Sequence, residues 1–178
     1  MKFSVLAVFA SLAVSSYAST TSDVLADIAS ISSQLTTLDQ QITSFPATGG
    51  SLAAALAIHT GATNLVTSIN KGTTDGVSPT PFSESDGNSV VNAVNGFVPT
   101  ILDALKEIVI KKPAFDGLPI GGIGALVKQD LINLNSSTSS FEAGLIAASP
   151  TDLISVATSI KSTVDAALAS AIAAYATP

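Results

Sequence analysis

Apolar residues recur every three or four positions through most of the chain after residue 20, which is the spacing of one face of an α-helix. The first run is the most regular, and it ends before Pro46 and Gly49-Gly50. Its members are Val24, Ile28, Ile31, Leu35, Leu38, Ile42 and Phe45. This pattern predicts a long amphipathic helix that buries a single apolar stripe.

Four further segments show the same periodicity, and stretches rich in Gly, Pro, Ser or Thr separate them. The second extends from Ser51 to about Asn70, the third follows Ser83, and the fifth opens at Ser149-Pro150, which is typical of a helix start. Their predicted inward faces include Leu56, His59, Thr63, Val98, Ile101, Leu131, Thr138, Ile160 and Val164. The fold class expected is all-α, an elongated bundle of about five amphipathic helices.

Two local features refine this bundle. Pro99 lies inside the third segment, where its ring frees the carbonyl of Asn95, so we expect one kinked helix rather than two. The stretch from 113 to 122 reads as a loop, and it contains Phe115, Leu118 and Ile120. Apolar loop residues need a buried location, so we expect them to plug one end of the bundle.

The first 18 residues have the pattern of a secretory signal peptide. Lys2 precedes an apolar stretch from 3 to 14, and Ser16-Tyr17-Ala18 is a small-x-small cleavage site. The stretch is shorter than the ~20 residues of a membrane span, and no second such run follows. We expect residues 19–178 to form a single helical-bundle domain that is secreted, extracellular and without a transmembrane segment.

Composition excludes several classes of function. The formal charge is -6 and all seven basic residues are lysines, so nucleic acid is not an expected partner. The absence of Cys rules out disulfides and thiolate metal sites, and one His cannot form a zinc site alone, so neither metal nor cofactor is expected. No Gly-x-Ser-x-Gly motif is present. We therefore expect a protein that is not an enzyme, with a secreted hydrolase as a weaker third interpretation.

The mature start reads Asp23-Val24-Leu25-Ala26-Asp27-Ile28, and Gln40-Gln41-Ile42 follows within heptads rich in Ser, Thr and Ala. Together with the signal peptide and the kinked central helix, these features resemble the fungal hydrophobic surface binding protein family, which includes the cell-wall galactomannoproteins. The resemblance implies a secreted helical bundle that adsorbs to hydrophobic surfaces. In some members it also implies capture of long-chain fatty acids between the helices, and it makes the cell wall a candidate location.

The apolar stripes converge at mid-bundle, near Pro99, where a cavity could open. The residues predicted to line an apolar cavity are Leu35, Leu38, Leu56, Val98, Ile101, Leu131, Ile160 and Val164. His59, Thr63 and Thr138 are the candidates for a polar head group, because a carboxylate needs one or two donors at an apolar site. Two other interpretations stay open: His59 as a hydrogen-bonded or exposed residue, and a Thr138 hydroxyl that bonds back to the carbonyl of Leu134.

Two functions therefore compete. The first is a non-enzymatic protein that binds hydrophobic surfaces, long-chain fatty acids or other lipids, with a secreted hydrolase as a candidate partner. The second is a structural cell-wall or matrix glycoprotein with a solid core, since small flanking residues also let helices approach closely. Asn135-Ser136-Ser137 is the sequon that predicts a glycan at Asn135.

Overall fold

The protein is described by a computed structural model over residues 20–76 and 81–176. These ranges hold six helices and no strand, which confirms the all-α fold. The helices are α1 (Thr21–Ser44), α2 (Leu52–Gly76), α3 (Glu84–Ile110), α4 (Lys112–Asp116), α5 (Ile123–Ala148) and α6 (Ile154–Ala174). The predicted signal peptide, residues 1–18, lies outside the described residues.

Local capping explains where two of the helices begin. At α1, the backbone N–H of Asp23 donates to Thr20 Oγ1 at 3.3 Å, while Thr20 N–H donates to the Asp23 carboxylate at 2.9 Å. At α3, Ser83 accepts from the backbone N–H of Asp86 at 3.2 Å. These bonds satisfy N–H groups that have no partner within the helix.

The predicted start of the last helix at Ser149 is wrong by several residues. The Ser149 hydroxyl donates back to the carbonyl of Leu145 at 2.8 Å, so this residue ends α5 instead of capping α6. Residues 151 to 153 form a turn, and α6 begins at Ile154. A serine can bond backward or forward along the chain, and the sequence alone did not decide between the two.

The five long helices close into a ring. α1 packs between α2 and α3, α2 packs on α5, α5 on α6, and α6 on α3. The inner faces of all five helices therefore look onto one shared centre. Packing is more extensive among α1, α2, α3 and α5 than at the two faces of α6, so α6 is the most loosely held member of the ring.

Aromatic side chains close one end of this ring, which we call the aromatic end (Phe45, Phe115 and Tyr175). The rings of Phe45 and Phe115 stack with centroids 4.3 Å apart, and Tyr175 donates its hydroxyl to the carbonyl of Ile108 at 2.7 Å. A side chain at Gly50 would lie 2.2 Å from the Phe45 ring, so glycine is required there.

The expected plug forms in part. Phe115 and Leu118 are buried, whereas Ile120 is 53% exposed. The predicted loop also contains the short helix α4, which carries Phe115 inward. α3 continues through Pro99 as one helix, as predicted; the kink angle stays a prediction.

The buried face of α2 differs from the predicted one. Leu56 is 43% exposed and Thr63 is exposed, while Ala55, Ile58 and Ala62 are buried instead. The first turns of α2 are apolar on nearly every side, so the spacing allowed more than one stripe. By length and hydropathy α2 could also span a membrane (Leu52–Asp75, mean hydropathy 1.3), and here it packs against α1 and α5.

The sequon lies in the middle of α5. Asn135 is half-buried and Ser137, the third residue of the sequon, is buried. Glycosylation at Asn135 stays a prediction.

Candidate functional site

A cavity of about 110 Å³ lies at the centre of the ring. Side chains from α1, α2, α3, α5 and α6 line it, and nearly all of them are aliphatic or Phe. Six of the eight predicted apolar residues are among them: Leu35, Leu38, Val98, Ile101, Leu131 and Val164. The predicted polar residue Thr138 also lines the cavity.

Four predicted site residues lie away from the lining. Leu56 and Thr63 lie on the exposed side of α2, and the Thr63 hydroxyl donates back to the carbonyl of His59 at 3.0 Å. Ile160 is half-buried in the part of α6 that precedes the cavity-lining Val164. His59 is half-buried and turns its ring toward α5. The lining thus omits two of the predicted apolar residues, Leu56 and Ile160, and two of the predicted head-group residues, His59 and Thr63. Their part in ligand binding stays a prediction.

The polar groups of the lining form a single row on α5. They are Asp130, Thr138 and Glu142, which we call the α5 polar row. Together with Leu134 they follow one another in steps of four, so they share one helix face over about 18 Å. Each carboxylate is buried and meets a basic side chain from a different neighbouring helix.

Asp130 pairs with His59 of α2. The Nδ1 atom of the ring lies 2.9 Å from both carboxylate oxygens. Burial raises the pKa of Asp130, and the hydrogen bond from His59 partly opposes this. His59 therefore compensates a buried carboxylate at the edge of the cavity.

Glu142 pairs with Lys161 of α6, at 3.3 Å between Oε2 and Nζ. Lys161 also contacts Asp165 at 2.8 Å and Ser139 at 3.1 Å, and Ser139 donates to Asp165 at 3.1 Å. We call these four residues the Lys161 cluster. Burial raises the pKa of Glu142 to about 7 although Lys161 lowers it.

The hydroxyl of Thr138 has no hydrogen bond to any residue within 20–76 or 81–176. Thr63, Thr67 and several other helical threonines donate to the carbonyl four residues earlier. Among the described residues, Thr138 makes no such bond, so the expected bond to Leu134 does not form. Its hydroxyl is available to a ligand in the cavity, one helical turn from Glu142.

A second, open groove of about 750 Å³ runs between α1 and α2, and small neutral polar residues dominate its lining. Gln34 donates to Ser68 across it at 2.6 Å, and the Oε1 atom of Gln41 is buried without a hydrogen bond. No group of three or more metal-ligating side chains occurs within 20–76 and 81–176.

A closed ring of helices around an apolar cavity, with its few polar groups on one helix face, defines a class of helical proteins that enclose apolar ligands. Residues 21–147 match the model of hydrophobic surface binding protein A, and the chain belongs to this family. The family resemblance predicted from the sequence is thereby confirmed.

Solved structures agree with this assignment. The structure of AFMP4P in complex with palmitic acid has a TM-score of 0.81 and 31% identity, and the match covers 88% of this chain and 99% of that one. Ligand binding domain 1 of Penicillium marneffei MP1 protein, complexed with arachidonic acids, has a TM-score of 0.78 and 20% identity, with 88% and 99% covered. Its ligand binding domain 2 has a TM-score of 0.74 and 16% identity, with 88% and 94% covered. The last two show a shared fold. No curated protein matches the chain in sequence.

Proposed function

We propose that this chain is a binding protein, not an enzyme, that encloses the acyl chain of a long-chain fatty acid in its central cavity. The observation that carries the proposal is the cavity itself, whose lining contains only three polar residues, all on α5. Support comes from AFMP4P, a 31% identical protein whose structure contains palmitic acid. The competing interpretation, a structural protein with a solid core, does not account for an apolar void at the centre.

The size of the cavity indicates how a ligand enters. An apolar cavity of ~150 Å³ holds a molecule as small as benzene. The present cavity of about 110 Å³ must therefore widen to admit a fatty acid, and the ring must open. Burial of ~14 methylenes contributes on the order of 11 kcal/mol, because each one contributes about 0.8 kcal/mol. Association costs ~4 kcal/mol or more, which leaves micromolar or tighter binding.

The same opening supports adsorption to hydrophobic surfaces. Apolar side chains already lie on the outside, among them Leu102, Ile132 and Val156. Separation of the helices would add inner stripes to this surface. We place this activity outside the cell, in line with the signal-peptide pattern of residues 1–18; the cell wall and a secreted hydrolase remain candidate location and partner.

The test combines extraction with ligand-induced stabilisation. Organic extracts of the purified protein should contain a fatty acid near one mole per mole, identified by mass spectrometry. Added palmitate should raise the Tm of the delipidated protein, and octanoate should raise it less. A clean extract together with no dependence on chain length would contradict the proposal and favour the solid-core interpretation.

Two tryptophan variants locate the binding. Ile101 lines the cavity, and its neighbour Leu102 faces outward. Ile101→Trp should fill the space and abolish the palmitate-induced shift in Tm, whereas Leu102→Trp, the matched control, should keep it. Overpacking in a tightly filled core costs ~1 to 3 kcal/mol, so a larger loss of stability in the Ile101 variant would count against an open cavity.

A further inference from the structure

The basic partners at the two ends of the α5 polar row differ in charge. At Asp130 the basic partner is His59, which carries a charge only when it is protonated. At Glu142 the partner is Lys161. Burial lowers the pKa of this lysine, but Asp165 and Glu142 together outweigh burial and raise the pKa above its usual value. Of the two carboxylates in the lining, Glu142 is therefore the one with a permanently charged partner; Lys161 itself lies outside the lining and reaches the site through this contact.

Hydrogen-bond donors also gather at this end. The unpaired hydroxyl of Thr138 lies four residues from Glu142 on the same face of α5. Lys161 Nζ is in contact with both Ser139 and Glu142. A carboxylate that replaced Glu142 as the acceptor for Lys161 would find an ammonium and a hydroxyl within one helical turn.

We propose that the Lys161 cluster is the head-group site of the cavity, where Lys161 and Thr138 bind the carboxylate of a fatty acid beside Glu142. This inference rests on the proposed function. The acyl chain then extends along the α5 polar row toward Asp130 and the aromatic end. His59 and Thr63, the other head-group candidates from the sequence, take no part.

The protonation state of Glu142 makes this arrangement possible. Lys161 already contacts Asp165, so a ligand carboxylate beside an ionised Glu142 would gather three negative charges around one ammonium. A protonated Glu142 removes one of these charges and donates a hydrogen bond instead. The charged groups that face Glu142 from α6 are Lys161 and Asp165, and Asp165 lies nearer solvent. On α2, which also packs on α5, Lys71 pairs with Asp75 and with Asp27 of α1.

The pH dependence follows with a definite sign. Burial raises the pKa of Glu142 to about 7, so the side chain is mostly neutral below that pH. Above pH 7, binding of the ligand carboxylate requires Glu142 to take up a proton. Affinity for palmitate should therefore fall by up to about tenfold per pH unit between pH 7 and 9. Glu142→Gln fixes the neutral form and should give a flat profile.

The experiment compares two ligands with the same acyl chain, palmitate and 1-hexadecanol, by displacement of a fluorescent apolar dye. Lys161→Met should weaken palmitate binding roughly tenfold and leave hexadecanol binding unchanged, because a charge-assisted hydrogen bond is lost. Lys161→Arg should restore most of the preference for palmitate. If Lys161→Met alone folds poorly, the double variant Lys161→Met with Glu142→Gln replaces it, because no buried carboxylate is then left without a partner. The same comparison of palmitate with hexadecanol is made on the double variant.

Lys71→Met is the matched control. Like Lys161, Lys71 contacts a buried acid on a neighbouring helix, Asp27, and an acid four residues ahead on its own helix, Asp75. None of these three residues lines the cavity. The ratio of palmitate to hexadecanol affinity should match the wild type in this variant.

The outcomes separate the two proposals. If the wild-type protein binds neither ligand, the proposed function is wrong. If it binds both and Lys161→Met leaves their affinity ratio unchanged, the carboxylate lies elsewhere and only the head-group inference is overturned. A palmitate profile of the wild type that is flat between pH 7 and 9 would likewise contradict the role of Glu142.

Discussion

His59 lies beside the cavity, where it contacts Asp130 instead of a ligand site. Its ring donates a hydrogen bond to the carboxylate of Asp130, which is only 8% exposed and belongs to another helix. A buried carboxylate that loses its partner keeps the cost of desolvation. His59 therefore stabilises the contact between α2 and α5.

This role predicts a change in stability without a change in binding. His59→Ala should lower the free energy of unfolding in urea by about 1 to 3 kcal/mol, because Asp130 loses its partner. The affinity for palmitate should stay within twofold of the wild type. Thr60→Ala, at the exposed neighbouring position, is the control and should change stability little.

A double variant isolates the pair. His59→Ala combined with Asp130→Leu removes the carboxylate as well as its partner, so part of the lost stability should return. If the double variant is as destabilised as the sum of the two single variants, the pair is not coupled and His59 has another role.

At the scale of the helix, α1 and α2 show what periodicity can and cannot predict. The stripe of α1 is buried at every predicted position from Val24 to Phe45, because polar residues fill the other faces. In α2, Ala and Leu surround the axis over the first turns, and the buried face contains Ile58 instead of Leu56. Where a helix is apolar on all sides, the sequence does not show which side is buried. The rotation of the helix about its axis is then set by packing against neighbouring helices.

The acidic members of the α5 polar row were missed for a related reason. Asp130 and Glu142 lie beside the apolar stripe, and charged residues are normally assigned to solvent. A signal was present, since Glu142 lies four residues from Thr138, which was predicted to face inward, and Asp130 lies four residues from Leu134, which lines the cavity. Their basic partners on α2 and α6 are more than 15 residues away, so the sequence could not show that the charges are paired.

α6 is the helix whose two halves differ most in burial. Ile154 and Val156 are 39% and 48% exposed, whereas Val164, Leu168 and Ala171 are buried. Local opening starts where few apolar contacts hold a segment. We therefore expect the ring to open by movement of the first half of α6.

Hydrogen exchange can test this expectation. Backbone amides of 157–163 should exchange faster than those of 164–172, and faster than amides at equivalent depth in α1. Palmitate should slow exchange in 157–163 more than in α1, because a ligand anchored at Lys161 ties α6 to α5. Uniform protection along α6, with or without palmitate, would place the entry route elsewhere.

For the whole molecule, the fold class and the five long helices were predictable, whereas the short helix α4 and the order of the helices around the ring were not. The apolar stripe of a helix predicts that one of its faces is buried, but it does not predict which other helix packs against that face. The pairings of α2 with α5 and of α3 with α6 join segments far apart in the chain. The cavity arises from these pairings together, so six of its apolar residues and Thr138 could be predicted, while Asp130 and Glu142 could not.

The aromatic end closes the ring of helices on one side. The Phe45–Phe115 stack and the Tyr175–Ile108 hydrogen bond close that end, and the Lys161 cluster lies toward the other. For a fatty acid held by its carboxylate at Lys161, the aromatic end would limit the length of acyl chain that the cavity can hold. Affinity should rise with each added methylene, by about 0.8 kcal/mol, until the terminal methyl group reaches the aromatic end. A titration of saturated acids from ten to twenty-two carbons should show a break in slope, and its position would report the depth of the molecule in carbon atoms.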